Sequence, residues 1–258
     1  MVKRSIIITL LLILSHGYDI TCEYSNPPPA RPIVNYRLND KEELIGTIYP
    51  GVSFIIDLND GYLSVYYKKY GYETYIRYFS RFLKEGDVLL NIGAHLGFES
   101  MVFGKIIGPK GKIFFFEPNE VTRNILTKNI YLNDYQDIST IYPVAVGNKK
   151  MTAYLMVNLG NTGASVIETE ESLSKFKGRM DAKKEVQVDL VDNVLPKDLV
   201  ANFAFVDVEM LEVECLEGMK EIIKRSPDLS IAIEWSGRSE HWPQDEYIKH
   251  FTSLLDWF

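Results

Sequence analysis

Residues 86–119 read GDVLLNIGAHLGFESMVFGKIIGPKGKIFFFEPN. The apolar run Val88 to Leu90 enters a glycine turn, Asn91-Ile-Gly93-Ala-His95-Leu-Gly97. Residues 98–107 have helical spacing, Gly108-Pro-Lys-Gly111 makes a turn, and a second apolar run, Ile113 to Phe116, delivers Glu117. Strand, turn, helix and strand in that order form an α/β unit with an acid at the end of its second strand. In such a unit the glycines let a ligand approach the backbone at the carboxyl end of strand one, and the acid can accept both hydroxyls of a ribose. The stretch predicts a site for an adenosine-containing ligand.

The turn also narrows which ligand. A dinucleotide site uses G-x-G-x-x-G, whose second glycine lets backbone amides crowd a pyrophosphate. Here His95 stands two residues after Gly93, and no G-x-x-x-x-G-K-[ST] phosphate loop occurs in the chain. S-adenosyl-L-methionine carries no phosphate, so an open G-x-x-x-G turn suffices for it. A nicotinamide dinucleotide is the less favoured ligand, and a glycine turn that binds nothing is disfavoured by the position of Glu117.

Around this unit, strands and helices alternate. Residues 120–132 read as a helix, 138–146 as an apolar strand-like segment, and 151–157 and 186–190 as a strand pair. The polar loop 158–185 is long enough to form a flap over a site or to lack order. Further strands are expected at 203–209 and 229–234, with a helix at 211–224 between them. Upstream, 52–67 reads as a hairpin turning at Asn59-Asp60-Gly61, and 72–83 as a helix whose Tyr75, Tyr78, Phe79 and Phe82 face the core. This pattern predicts a mostly parallel sheet with helices on both faces. The final segment, 246–258, is amphipathic with no cap, and strand 229–234 would be left as a sheet edge. One or two further strands are therefore expected to be missing from the C-terminal end.

The N-terminal end has its own logic. Met1-Val-Lys3-Arg4 is basic, Ile6 to Leu14 is apolar apart from Thr9, and Ser15-His-Gly17 offers small residues at the positions a signal peptidase reads. Residues 1–17 thus read as a signal peptide, with an uncleaved anchor as the second possibility, which places the chain in the secretory pathway, the periplasm or outside the cell. A proline-rich linker, 18–45, leads into one domain over 46–258, with a lead-in at 46–85 and the cofactor-binding core at 86–258. The formal charge of −7 in 258 residues argues against a nucleic-acid partner, since nothing supplies counterion release. Membrane association follows only from an uncleaved anchor. Cys22 and Cys215 make at most one disulfide, and the absence of CxxC or close His/Cys clusters argues against a metal.

Taken in order, these motifs resemble the FkbM-type S-adenosylmethionine-dependent methyltransferases over roughly residues 70–258. Their G-D-V-x-x-D-x-G-A-N-x-G appears here as Gly86-Asp87-Val88 and Asn91 to Gly97. Their G-P-x-G and F-E-P-N appear as Gly108 to Gly111 and Phe116 to Asn119, and their D-V-E-G as Asp207-Val208-Glu209-Met210. Weaker echoes are Ala145-Val146-Gly147, Asn161 to Ser165, and Leu216-Glu-Gly218. The resemblance implies a class I, Rossmann-like methyltransferase sheet and O-methylation of a sugar or small natural-product hydroxyl. Asn91, Gly93, His95, Gly97, Glu117, Asn119 and Asp207 are the expected cofactor contacts. Asp207 and Glu209, ending a strand at the ligand-binding edge, are the expected catalytic carboxylates. Glu234 and Trp235 are expected on the acceptor side, and His241 and His250 are weaker candidates for a base. Asn91 stands where the family has an acid, and Met210 where it has glycine. Those two departures, with the leader, also fit a secreted pseudoenzyme or binding module that keeps the fold without activity.

Overall fold

A computed structural model describes residues 8–11, 36–41, 43–56, 78–175 and 178–234. Its centre is a sheet built on β5 (Val88–Ile92), flanked on one side by β6 (Lys112–Phe116) and β7 (Ser139–Tyr142). On the other side lie β12 (Phe203–Val206) and β13 (Ser230–Glu234), and every neighbouring pair is parallel. A parallel sheet covered on both faces needs strands apolar on both sides, which explains the unbroken runs Val88-Leu-Leu and Phe203-Ala-Phe-Val.

The two faces are packed differently. Helices α1 (Phe98–Ile107) and α2 (Glu120–Leu132), with the turn of helix at 78–80, cover the face that carries Leu89, Phe203 and Phe205. Phe79 and Phe103 meet Phe205 and Phe203 edge-on, with ring centres 6.0 and 5.8 Å apart. Phe79 is thus core, as its spacing predicted. The opposite face, with Leu90, Ala204, Val206 and Ile231, is covered by α5 (Glu212–Glu217) and α6 (Lys220–Arg225). One helix was expected over 211–224. It breaks at Gly218, where a Cβ would lie 2.1 Å from the Gly147 carbonyl oxygen, so the chain kinks where it crosses that loop.

Between β7 and β12 the chain builds a second, small sheet. It contains β8 (Ala145–Val146), β9 (Met151–Val157), β10 (Val166–Ile167) and β11 (Ala182–Asp189). The β9–β11 pairing is antiparallel. Within the long polar loop the described residues form a 3-10 turn at Thr162–Ala164, β10, and α3 (Glu170–Lys175). A short helix, α4 (Val191–Val194), follows β11.

A third sheet joins β2 (Tyr36–Leu38), β3 (Leu44–Tyr49) and β4 (Val52–Ile56) in antiparallel order. Strand β4 was expected, but the partner described is β3, across a turn at Pro50-Gly51, and part of the stretch read as linker is strand. The predicted turn at 59–61 and residues 62–67 lie outside the described residues. The other edge of β4 is held by amide side chains of α2. Asn129 accepts from the Ile55 N–H at 2.8 Å, and Asn133 accepts from the Ser53 N–H at 2.9 Å and donates to its carbonyl at 2.8 Å. Backbone groups of an edge strand are thereby satisfied by a helix surface.

The free side of β13 was expected to need further strands to cover it. That side is instead paired in parallel by β1 (Ile8–Leu11), with Ile8 opposite Ile231 and Leu11 opposite Glu234. An apolar, β-prone tetrapeptide of the segment read as a leader satisfies backbone groups that would otherwise be open. The predicted helix at 246–258 lies outside the described residues. Among the described residues, no helix is long and apolar enough to cross a membrane.

Candidate functional site

The carboxyl ends of β5, β6 and β12 open into a cleft. Gly93, His95, Glu117, Asn119, Asp207 and Glu209 form its floor and sides, and Thr162, Gly163 and Ser165 of the small sheet stand opposite. The stretch expected as a flap is therefore a wall of the cleft.

Gly93 sets the shape of the floor. Its φ is +78°, a left-handed conformation open to glycine, and a Cβ there would lie 1.7 Å from the Asp207 carbonyl oxygen. The Gly93 and Ala94 N–H groups both donate to the Phe116 carbonyl, at 3.0 and 2.9 Å. The turn is thus pinned between β6 and β12, with no room for a side chain beneath it. Gly97, the last glycine of the turn, is the N-cap residue of α1 and is not among the residues lining the cleft.

Glu117 is buried, and its carboxylate gathers three segments. Oε2 accepts the His95 N–H at 2.7 Å, and Oε1 accepts the Asn119 N–H at 2.8 Å and the Thr122 hydroxyl at 3.0 Å. Burial pushes the Glu117 carboxyl above its ordinary range, opposed by these three donors and by the nearby Arg123 guanidinium. Asn119 caps α2 by accepting the Val121 N–H at 3.2 Å, while its buried Nδ2 has no acceptor among the described residues. An unpaired buried donor beside an open cleft is a group waiting for a ligand acceptor.

His95, itself at φ +49°, places its ring Nε2 2.6 Å from Thr162 Oγ1. This contact ties the glycine turn to the small sheet across 67 residues of sequence. Asn91 lies below the cleft rather than in its lining. Its Nδ2 donates to Ser100 at 2.5 Å, and its buried Oδ1 has no partner among the described residues.

Asp207 and Glu234 end adjacent strands whose register pairs Val206 with Ile233, and their carboxyls hydrogen bond to each other. Burial and then the charges of Glu234, Glu209 and Glu99 raise Asp207 well above the carboxylate range, while burial and then Glu209, Glu99 and Glu212 raise Glu234 to about 8 against the lowering effect of its hydrogen bond to Asp207. Glu234 does not line the cleft directly; it backs Asp207, which does. Glu209 and Met210 follow with φ of +30° and +72°, so the position where the resembled motif has glycine does adopt a left-handed backbone, occupied here by a buried methionine. Trp235, His241 and His250 lie outside the described residues. Cys215 is buried with a free thiol, and Cys22 lies outside the described residues.

Thr122, Ser100 and Glu99 belong to this neighbourhood and were not singled out from sequence. A hydroxyl three residues after the Asn119 cap is the signal that could have pointed to Thr122, since that position faces the capping loop. Among the described residues, no group of three or more His, Cys, Asp or Glu side chains is arranged to hold a metal.

The family described as Methyltransferase FkbM domain matches residues 91–257, more than half of the chain. Among solved structures, methyltransferase FkbM from Methylobacillus flagellatus is similar at 13% identity and TM-score 0.43, over 66% of this chain and 37% of that one. The chain therefore spans little more than a third of that protein's length. A precorrin-6y C5,15-methyltransferase from Geobacter metallireducens is similar at 13% identity and TM-score 0.44, covering 81% of this chain and 80% of that one. A SAM-dependent methyltransferase from Aquifex aeolicus follows at 18% identity and TM-score 0.38, with 69% and 77% covered. No curated protein matches at the sequence level. The fold is the Rossmann-like class I methyltransferase fold, and the chain belongs to the FkbM family of S-adenosylmethionine-dependent methyltransferases.

Proposed function

We propose that the chain methylates a hydroxyl of a sugar or small natural product, with the Asp207–Glu234 carboxyl pair as its proton acceptor. The residues of the cleft suit the cofactor. Gly93 lines the floor with no side chain, pressed against the backbone of Asp207, Asn119 Nδ2 is a buried donor unpaired among the described residues, and Glu117 is an acceptor at the end of β6. Bound there, S-adenosylmethionine supplies an electrophilic methyl group on a positively charged sulfur. Asp207 and Glu209 contribute carboxylates beside the same turn.

The observation that carries the hydroxyl reading is the hydrogen-bonded carboxyl pair. A hydroxyl gives up its proton as it becomes an ether, and the acceptor works best with a pKa near the working pH. Glu234, raised to about 8, meets that condition, and Asp207 holds the other proton of the pair beside it. With Glu234 ionised, Asp207 at the cleft wall takes the proton from the acceptor oxygen and passes its own proton along their hydrogen bond to the Glu234 carboxylate, so the pair gains one proton as the ether forms. Activity is expected to rise as pH increases toward about 8.

Calorimetric titration of S-adenosylhomocysteine into the protein, with Glu117→Ala as control, tests the cofactor site. Binding of the wild type and loss in the variant support it; a folded wild type without binding refutes it and leaves the fold-without-activity reading. Transfer of labelled methyl to saccharides, giving alkali-stable ethers and lost in Glu234→Gln, tests the acceptor class. Transfer confined to amines would overturn it. The leader reading is part of the same proposal; cleavage after Gly17 would remove β1 and open the free side of β13, and the N-terminal sequence of the exported protein checks whether it occurs.

A further inference from the structure

Three protein donors already converge on Glu117, so two ribose hydroxyls cannot simply be added to it. A carboxylate offers about four lone-pair positions. The His95 N–H, the Asn119 N–H and the Thr122 hydroxyl occupy three of them, at 2.7, 2.8 and 3.0 Å. The two amides are fixed by the backbone of the turn and of the cap. The hydroxyl is not fixed. Thr122 Oγ1 also lies 3.0 Å from the Asn119 carbonyl oxygen, and its single proton can serve one acceptor or the other.

We propose that Thr122 is a positioning residue for the cofactor ribose: its hydroxyl donates to Glu117 Oε1 in the free protein and turns to the Asn119 carbonyl when a ribose hydroxyl takes that place. This rests on the reading of Glu117 as the ribose acceptor. Rotation about one side-chain bond exchanges one acceptor for another at the same distance, so Oε1 is vacated without breaking a backbone contact. Thr122 is 1% exposed, so water does not substitute for its hydroxyl in either position.

The arrangement also governs ionisation. Burial favours the neutral form of Glu117, and a neutral carboxyl accepts fewer hydroxyls. Besides Thr122 and the two amides, the groups that face it are the Arg123 guanidinium of α2 and, at the end of β7, Tyr142, whose carbonyl accepts the Glu117 N–H, while the His95 ring bonds to Thr162. Asp207 and Glu209 lie on the same cleft. Thr122 is thus one of the donors that hold the carboxyl down against the effect of burial.

Thr122→Val and Thr122→Ser separate this role from simple packing. In the cofactor-free protein, the carboxyl band of Glu117, assigned by its loss in Glu117→Gln, is titrated by infrared difference spectroscopy. The midpoint is expected to rise in Thr122→Val and to stay at the wild-type value in Thr122→Ser. Affinity for S-adenosylhomocysteine is then measured from about pH 5 to about pH 9. Thr122→Val is expected to bind about tenfold more weakly on the acid side, where it has lost its ionised acceptor. On the alkaline side it is expected to bind at least as tightly as wild type, because nothing has to be displaced from Oε1. Thr122→Ala replaces Thr122→Val if the larger variant does not fold. An unmoved infrared midpoint, or weakening by one constant factor at every pH, overturns the proposal while leaving the cofactor site intact. A wild type that binds at no pH removes the cofactor reading itself.

Discussion

Replacing Gly93 with alanine adds one methyl group at the point where β5, β6 and β12 converge. That carbon would lie 1.7 Å from the Asp207 carbonyl oxygen and 2.7 Å from its carbonyl carbon, both backbone atoms that cannot swing aside. Relief requires the end of β12 to withdraw by more than 1 Å, roughly the gap to an ordinary contact of 3.0 Å or more. Overpacking of this kind costs about 1–3 kcal/mol, and the left-handed φ of +78° adds about 1–2 kcal/mol for a residue with a side chain. The sum, about 2–5 kcal/mol, is a large part of the stability of an ordinary domain. Gly86→Ala provides the control, since Gly86 has φ +87° but nothing within 4 Å of its would-be Cβ, so it shows the conformational cost alone. Urea midpoints of the two variants therefore isolate the contact, with Gly93→Ala expected to lose about 1–3 kcal/mol more than Gly86→Ala. Equal losses would refute the claim that the turn is pressed against β12.

Other perturbations test other parts of the molecule. Glu234 stays neutral in the fold up to about pH 8 but ionises near 4.5 when unfolded, so the unfolded chain holds fewer protons over that interval. Stability is expected to fall as pH rises through it, by at most about 1.4 kcal/mol per unit, and Glu234→Gln should flatten the slope; a wild type equally stable across the interval refutes this. Asn129→Leu leaves the Ile55 N–H and the Leu96 carbonyl without partners and is expected to cost about 2–4 kcal/mol in urea denaturation. Asp134 follows α2 with φ +60° on the exposed surface, so Asp134→Gly should stabilise by about 0.5 kcal/mol, read as a raised thermal midpoint.

What was legible in the sequence was local. Helices α1 and α2 run over the residues expected because their ends are written in the chain: Asn119 caps α2, and Gly108 closes α1 at φ +64°. The apolar runs of β5, β6, β12 and β13 were visible because both faces of each strand are covered. The β3–β4 hairpin was missed because Asn59-Asp60-Gly61 is a stronger turn signal than Pro50-Gly51 and because proline enrichment upstream suggested a linker. The break between α5 and α6 depends on Gly147, 71 residues before Gly218, and no local pattern reports it. In the cleft, glycine spacing and the position of Glu117 pointed to the floor. The partners that decide its chemistry, Thr122 on Glu117, Thr162 on His95 and Glu234 on Asp207, come from separate elements brought together by the sheet and do not share a periodicity. Asn91 shows the reverse: its place in the motif suggested a ligand contact, yet its amide is bonded to Ser100 below the cleft.

Glu117 and Glu234 would leave different traces in a lineage that stopped methylating. Glu117 fastens the glycine turn, the loop after β6 and the first turn of α2, so a descendant with no cofactor would still keep it in order to fold. Its presence in a relative is therefore evidence of ancestry and not of activity. Glu234 works against the fold at any pH where it is charged, and relaxed selection would replace it with a neutral residue early. On the proposed mechanism, the second acid, absent from the motif that first draws the eye, is the better marker of which relatives remain enzymes.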